Sequence, residues 1–377
     1  MALVVALRFS SKSGALCVDQ ESWHLLRRKT FFSDCIYSLL TEEMADRTGS
    51  ELIYAGVGHP SFHMEVATKS EKAITEYLNS RTTAKLDTKN PQSNTKKLAE
   101  IVCDVFRNVH RRRISDRLEY LYGFSTEDFL NRKIEKGNQS VPITQEKVLQ
   151  HSRDILEGKD ALGYPPLSPA IEAIIIGVDQ VYGFSGFTLK EQEGVLSFHS
   201  CGFDALGCGR YVAATGLTKF FNNLFLDSRR TGIGKPAGLY HIIDAMIEGI
   251  DHSGQVGGNI RLVMIDAEAK TRENRLRVLS LNRSRLSLEI VRAARNNFIS
   301  RETAQNYLVE IIDKKRTWEQ IEKDFFSNSG SPEKMEKLLR GYKIEEENCS
   351  ITNITKELFS PPNKPSVQSR KKQKSGL

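Results

Sequence analysis

The chain has 377 residues, 39% of them hydrophobic and 27% charged, an ordinary globular balance that excludes a collagen-like, wholly disordered or disulfide-stapled protein. At about 150 residues per domain, the length suits two domains or one large domain with appendages. The net charge is +7, but Lys364, Arg370, Lys371, Lys372 and Lys374 fall in residues 361–377, which hold no acid; removing those five leaves +2 on the preceding 360 residues.

Strand and helix signals alternate along the chain. Residues 3–9 are a β-branched apolar run, residues 10–14 a Ser/Gly turn, and residues 15–19 a second short run, which together predict an N-terminal hairpin. Further strands are expected at 31–40 and 51–57, the latter entering the turn Gly56-Val57-Gly58. The period then changes to helical: Phe62, Val66, Ile74 and Leu78 share one face, and residues 97–113 give a second helix ending in His110-Arg111-Arg112-Arg113. The polar stretch 81–95 between them is expected to be a loop, and residues 115–168 an insertion or lid with a short helix at 145–156. Strands return at 173–178, 183–189, 195–201 and 212–215, helices at 217–225 and 239–251, and a last strand at 259–265. Beyond residue 280 charged amphipathic helices are predicted at 281–307, 318–326 and 332–342, followed by a disordered Pro/Lys/Ser-rich end from 360. This order predicts an α+β fold, two antiparallel sheets face to face with helices outside.

Several constellations compete for a function. His59, His63 and Glu65 have zinc-like spacing, but Pro60 puts His59 ahead of the helix and no third ligand is spaced nearby. Gly232-Ile233-Gly234-Lys235-Pro236 lacks the full phosphate-loop pattern and reads as a plain loop. The six cysteines (Cys17, Cys35, Cys103, Cys201, Cys208, Cys349) have no CxxC pairing, as expected in a reducing cytoplasm. No cofactor or metal is implied. Residues 1–9 lack the charge-then-apolar order of a secretory leader, and apolar runs such as 173–177 are far shorter than the ~18–20 residues of a membrane helix. A soluble, cytoplasmic protein with no membrane partner is expected. The tail cations Arg370, Lys371, Lys372 and Lys374 are a candidate polyanion contact, set against a merely solvated tail.

Three stretches belong together: ALVVALRFSSKSGALCVDQES at the start, ELIYAGVGHPSFHMEVATKSEKAI, and the later EGIDHSGQVGGNIRLVMID. With AIIIGVDQVYGFSGFTL and YVAATGL, their ordered succession resembles the proteasome subunits and their bacterial relative HslV, the N-terminal-nucleophile hydrolase family, over about residues 2–67 and 171–270. The resemblance implies a four-layer αββα sandwich over residues 1–280, with the insertion at about 115–168. A helical extension over 281–345 and a basic, disordered tail over 346–377 would follow.

It also implies a chemistry, in which the side chain of the N-terminal residue attacks an amide and its own α-amine is the base. Ala2 stands where that nucleophile is expected, and its methyl group cannot attack. Asp19 falls within one residue of the strand-end acid; Lys29 is the candidate lysine, with Arg27 and Arg28 competing; Cys208 replaces a serine in Gly207-Cys208-Gly209; and Asp251 with Ser253 keeps an Asp–Ser–Gly character at slightly altered spacing. Cys17 and Thr30 are the other conceivable nucleophiles. The expectation is a lost catalytic centre in a non-catalytic ring subunit or binding scaffold, forming homo- or hetero-oligomers or holding a protein or peptide. The alternatives are an active threonine-type peptidase of the same fold and a polyanion binder acting through the tail.

Overall fold

In the computed structural model the described residues are 3–19, 21–24, 27–30, 36–83, 95–136, 139–156, 171–190, 193–198, 201–223, 232–253, 256–314 and 316–327. The strands are β1 (Leu3–Arg8), β2 (Ser13–Asp19), β3 (Glu21–His24), β4 (Arg27–Thr30), β5 (Ile36–Ser38), β6 (Glu51–Val57), β7 (Lys133–Lys136) and β8 (Gln139–Pro142). They continue with β9 (Glu172–Asp179), β10 (Gly183–Lys190), β11 (Gly194–Ser197), β12 (Phe203–Gly207), β13 (Ile260–Asp266) and β14 (Leu276–Val278). The helices in chain order are α1 (Glu42–Thr48), α2 (Pro60–Thr83), α3 (Thr95–Tyr122), α4 (Thr126–Asn131), α5 (Glu146–Leu156) and α6 (Arg210–Asn222). After these come α7 (Lys235–His252), α8 (Arg272–Arg275), α9 (Leu281–Arg295), α10 (Arg301–Ile312) and α11 (Trp318–Ser327).

Two five-stranded antiparallel sheets form the centre, one in the order β12-β1-β2-β13-β14 and the other β11-β10-β9-β6-β5. Side chains alternate across a strand, and here both faces are covered. Val4, Ala6, Leu16, Val18, Val263 and Ile265 of the first sheet meet Ile53, Ala55, Ile174, Ile176, Val178 and Phe184 of the second. On its outer face the first sheet sets Leu3, Val5, Leu7, Cys17, Leu262 and Met264 against α6, α7 and the later helices. The second sheet sets Leu52, Tyr54, Ile175 and Phe187 against α2 and α3. Double burial explains why β1 reads as an unbroken apolar run instead of an alternating one. Stacked antiparallel sheets with helices outside agree with the expectation from the sequence.

The differences are local. Of the strand predicted at 31–40, residues 31–35 lie outside the described residues and β5 covers Ile36–Ser38; earlier in the chain β3 pairs with β4, Ser22 opposite Lys29. Residues 212–215, expected as a strand, lie inside α6, while the real strand is β12, whose Asp204 and terminal Gly207 disguised it. The arginines at 111–113 do not end α3, because Ile114 and Leu118 continue its buried face and Arg112 and Arg113 pair with Glu65 of α2. The predicted helix at 281–307 breaks into α9 and α10: Asn297 takes a left-handed φ of 58°, and the Ser300 hydroxyl caps α10 by accepting from Thr303 N at 3.0 Å. Residues 332–342 and the tail lie outside the described residues.

The insertion holds α4, β7, β8 and α5 around its own small cluster of Ile114, Leu118, Phe124, Phe129, Ile143, Leu149 and Ile155. Past β14, α9 to α11 share a core with the first sheet: Leu286, Ile290, Leu308, Ile311 and Phe325 belong to the same cluster as Leu3 and Val5. This explains why α7 is buried nearly all round, with sheet beneath it and α10 above.

Candidate functional site at the amino end of the first strand

The registers bring particular chain ends together. Leu3 opens β1 opposite Gly207 at the end of β12, and Asp19 closes β2 opposite Ile260 at the start of β13. In the second sheet, Val57 at the end of β6 lies opposite Glu172 at the start of β9, which in turn faces Lys190. An ion pair between Arg210, just past β12, and Glu172 at 3.1 Å shows that these ends lie on the same side of the sandwich.

Asp19 is the buried centre of this end. Its Oδ1 accepts the N–H of Leu3 at 2.6 Å and its Oδ2 accepts the N–H of Gly257 at 3.3 Å. The carboxylate therefore fastens the start of β1 to the loop that leads into β13. Backbone donors hold a buried carboxylate well, since each is fixed and each would otherwise be bare. Gly209 and Gly249 let the start of α6 and the end of α7 close onto β1; a Cβ on Gly249 would collide with the Leu3 side chain.

Cys208 is half-buried in the turn between Gly207, whose φ is 95°, and Gly209, the N-cap residue of α6. Burial pushes its thiol upward, the nearby Asp19 charge adds to this, and Arg210 works against it. Cys17, in mid-strand and fully buried, is pushed well up, first by burial and then by Asp19. Thiolates are the nucleophilic form, so the upward shifts work against both sulfurs as nucleophiles.

On the facing sheet, His63 in the first turns of α2 is buried against the end of β6. Its Nε2 lies 2.9 Å from the Val57 carbonyl, which can only accept, so Nε2 carries the hydrogen and Nδ1 accepts from the Tyr54 hydroxyl at 2.6 Å. Both ring nitrogens are thus occupied, and desolvation lowers the imidazole pKa to about 4. Glu65 is taken by Lys69, Arg112 and Arg113. Among the described residues no group of three or more His, Cys, Asp or Glu is placed to hold a metal ion.

Of the residues singled out in the sequence, Asp19 and Cys208 meet at the start of β1. Lys29 lies on β4 opposite Ser22. Asp251, near the end of α7, is exposed and 3.8 Å from Arg292 of α9, and Ser253 is the C-cap residue of α7. Ala2 lies outside the described residues. Sequence reasoning missed Gly257, Arg210, Tyr211 and Glu172. Arg210 follows the glycine turn and could have been noticed there, whereas Glu172 has no local signal.

No family model matches the chain, and no curated protein is similar to it in sequence. Among solved structures, the helical assembly of the Anbu complex from Pseudomonas aeruginosa is similar with a TM-score of 0.42 and 13% identity. The match covers 70% of this chain and 81% of that one. Among the described residues no helix is long and apolar enough to cross a membrane.

Proposed function

We propose that this chain is a non-catalytic protein of the N-terminal-nucleophile fold, of the proteasome-subunit kind. In this reading it works in the cytoplasm as a ring subunit or binding scaffold in a proteolysis-related assembly. The observation that carries the reading is the Asp19 carboxylate, which fastens the start of β1 through the N–H of Leu3 and that of Gly257. In this reading that end of β1 is the family's nucleophile end, and the residue before Leu3 is Ala2, whose methyl group has no lone pair to donate. The raised thiols of Cys208 and Cys17 offer no ready substitute. In the same reading Lys29, Cys208, Asp251 and Ser253 are vestiges of the family's accessory residues. The sandwich spans residues 1–280, the helical extension 281–345 and the basic tail 346–377.

A scaffold of this kind acts by association. Size-exclusion chromatography with light scattering on the purified chain should give a mass that is a multiple of 42.6 kDa. A monomer at every concentration up to the solubility limit would contradict the ring-subunit role.

A further inference from the structure

The two helices over the second sheet meet on a single carboxylate. Glu65, in the second turn of α2, accepts from Lys69 Nζ at 2.9 Å, from Arg113 Nε at 3.2 Å and Nη2 at 3.0 Å, and from Arg112 Nη2. Joining α2 to α3 takes only one of these cations, and Arg113 is the one built for it. Its side chain is 24% exposed. It also donates to the Ser61 hydroxyl at 3.3 Å and the Ser61 carbonyl at 3.0 Å, and its guanidinium lies 5.5 Å from the Phe62 ring centroid.

The other two are surplus to that joint. The side chains of Lys69 and Arg112 are 46% and 50% exposed, and both place a nitrogen on the same Oε1 of Glu65. Arg111 beside them is exposed as well. Cations gathered on one carboxylate repel one another, and half-exposed pairs of this kind exchange their partners at little cost. Residues 107–113 hold four arginines and no acid. Around this centre the charge is broken up, since Asp116, 3.9 Å from Arg112, and Glu76 farther along α2 are both exposed.

We infer that Lys69, Arg111 and Arg112 form a docking surface for an acidic protein segment, whose carboxylates neutralise the charge that Glu65 alone leaves in excess. Charge complementarity decides the kind of partner. Arginine forks and a lysine suit discrete carboxylates, as their hold on Glu65 shows. A nucleic-acid strand presents an unbroken line of phosphates, which Asp116 and Glu76 would repel. The surface is independent of the non-catalytic reading, because α2 and α3 cover the second sheet whereas β1 belongs to the first.

The probe is a fluorescein-labelled oligoglutamate peptide, titrated with the full-length chain by fluorescence anisotropy beside a labelled oligothymidine. Arg111→Gln/Arg112→Gln should weaken peptide binding by about threefold to tenfold at an unchanged urea midpoint, and added salt should weaken it in the wild type. Glu65→Gln removes the competing carboxylate and should tighten binding, a sign that damage to the fold would not give. Lys371→Gln/Lys372→Gln, in the basic tail, should leave it unchanged. Equal binding by the wild type and Arg111→Gln/Arg112→Gln would overturn the surface, as would binding lost with the tail substitutions instead. Oligothymidine that binds more tightly than the peptide, and is released by the same helix substitutions, would overturn the acidic segment as partner in favour of nucleic acid. None of these outcomes depends on the oligomeric mass, so this surface and the ring-subunit reading can fail separately.

Discussion

Asp19 holds two backbone N–H groups from distant segments, that of Leu3, 16 residues before it, and that of Gly257, 238 residues after it. A buried donor left without its acceptor costs about 1–3 kcal/mol, which makes this carboxylate a structural fastener whatever its ancestry. Asp19→Ala should therefore lower stability by a few kcal/mol, read as a reduced urea midpoint with an unchanged denaturant slope. Asp19→Asn, which keeps one acceptor oxygen, should lose less. An Asp19→Ala protein with the wild-type midpoint would remove Asp19 from this role. The acid was legible in the sequence because it ends an apolar strand. Its partners were not: Gly257 sits in a glycine-rich loop with no pattern that points back to β2. The Arg210–Glu172 pair was equally hidden, since ion pairs between distant strands leave no periodic trace.

Between elements, His63 joins the first turns of α2 to the end of β6 through the Val57 carbonyl and the Tyr54 hydroxyl. His241, stacked on Phe220 between α7 and α6, is likewise held near a pKa of about 4, chiefly by desolvation. An unfolded imidazole takes up a proton below about pH 6.5, whereas these two refuse it until about pH 4. The native state therefore keeps their full contribution above pH 6.5 and loses it as the pH falls toward 4, by up to about 3 kcal/mol for His63. Burial raises the carboxyl groups of Glu51 and Glu289, which act in the opposite sense. The test is thus the difference between the wild type and His63→Gln in urea midpoints at pH 7 and pH 4.5. That difference should shrink at the lower pH; a constant difference would contradict the neutral buried imidazole. At this scale the sequence was most legible where a period ran long, as in α2, α3, α7, β1 and β9. It misled where composition and context disagree: the Val-Ala-Ala-Thr start of α6 has strand-like residues, but the preceding glycine turn begins a helix.

At the scale of the molecule, two sheets and their helices form a sandwich whose first sheet is covered twice, by α7 and then by α10. The alternation of strand and helix groups made that layering legible. The covering was not, because α9 through α11 look like ordinary charged amphipathic helices, and only their packing shows that they fill the core above α7. The central proposal is that the position before Leu3, at the head of the strand that Asp19 fastens, holds no nucleophile. Intact-protein mass spectrometry of the purified chain, before and after exposure to an electrophilic peptide analogue, tests it most directly. The account predicts that Ala2 still precedes Leu3 and that no adduct forms at the amino terminus. A mature chain beginning at a threonine, serine or cysteine, and carrying the adduct there, would contradict it.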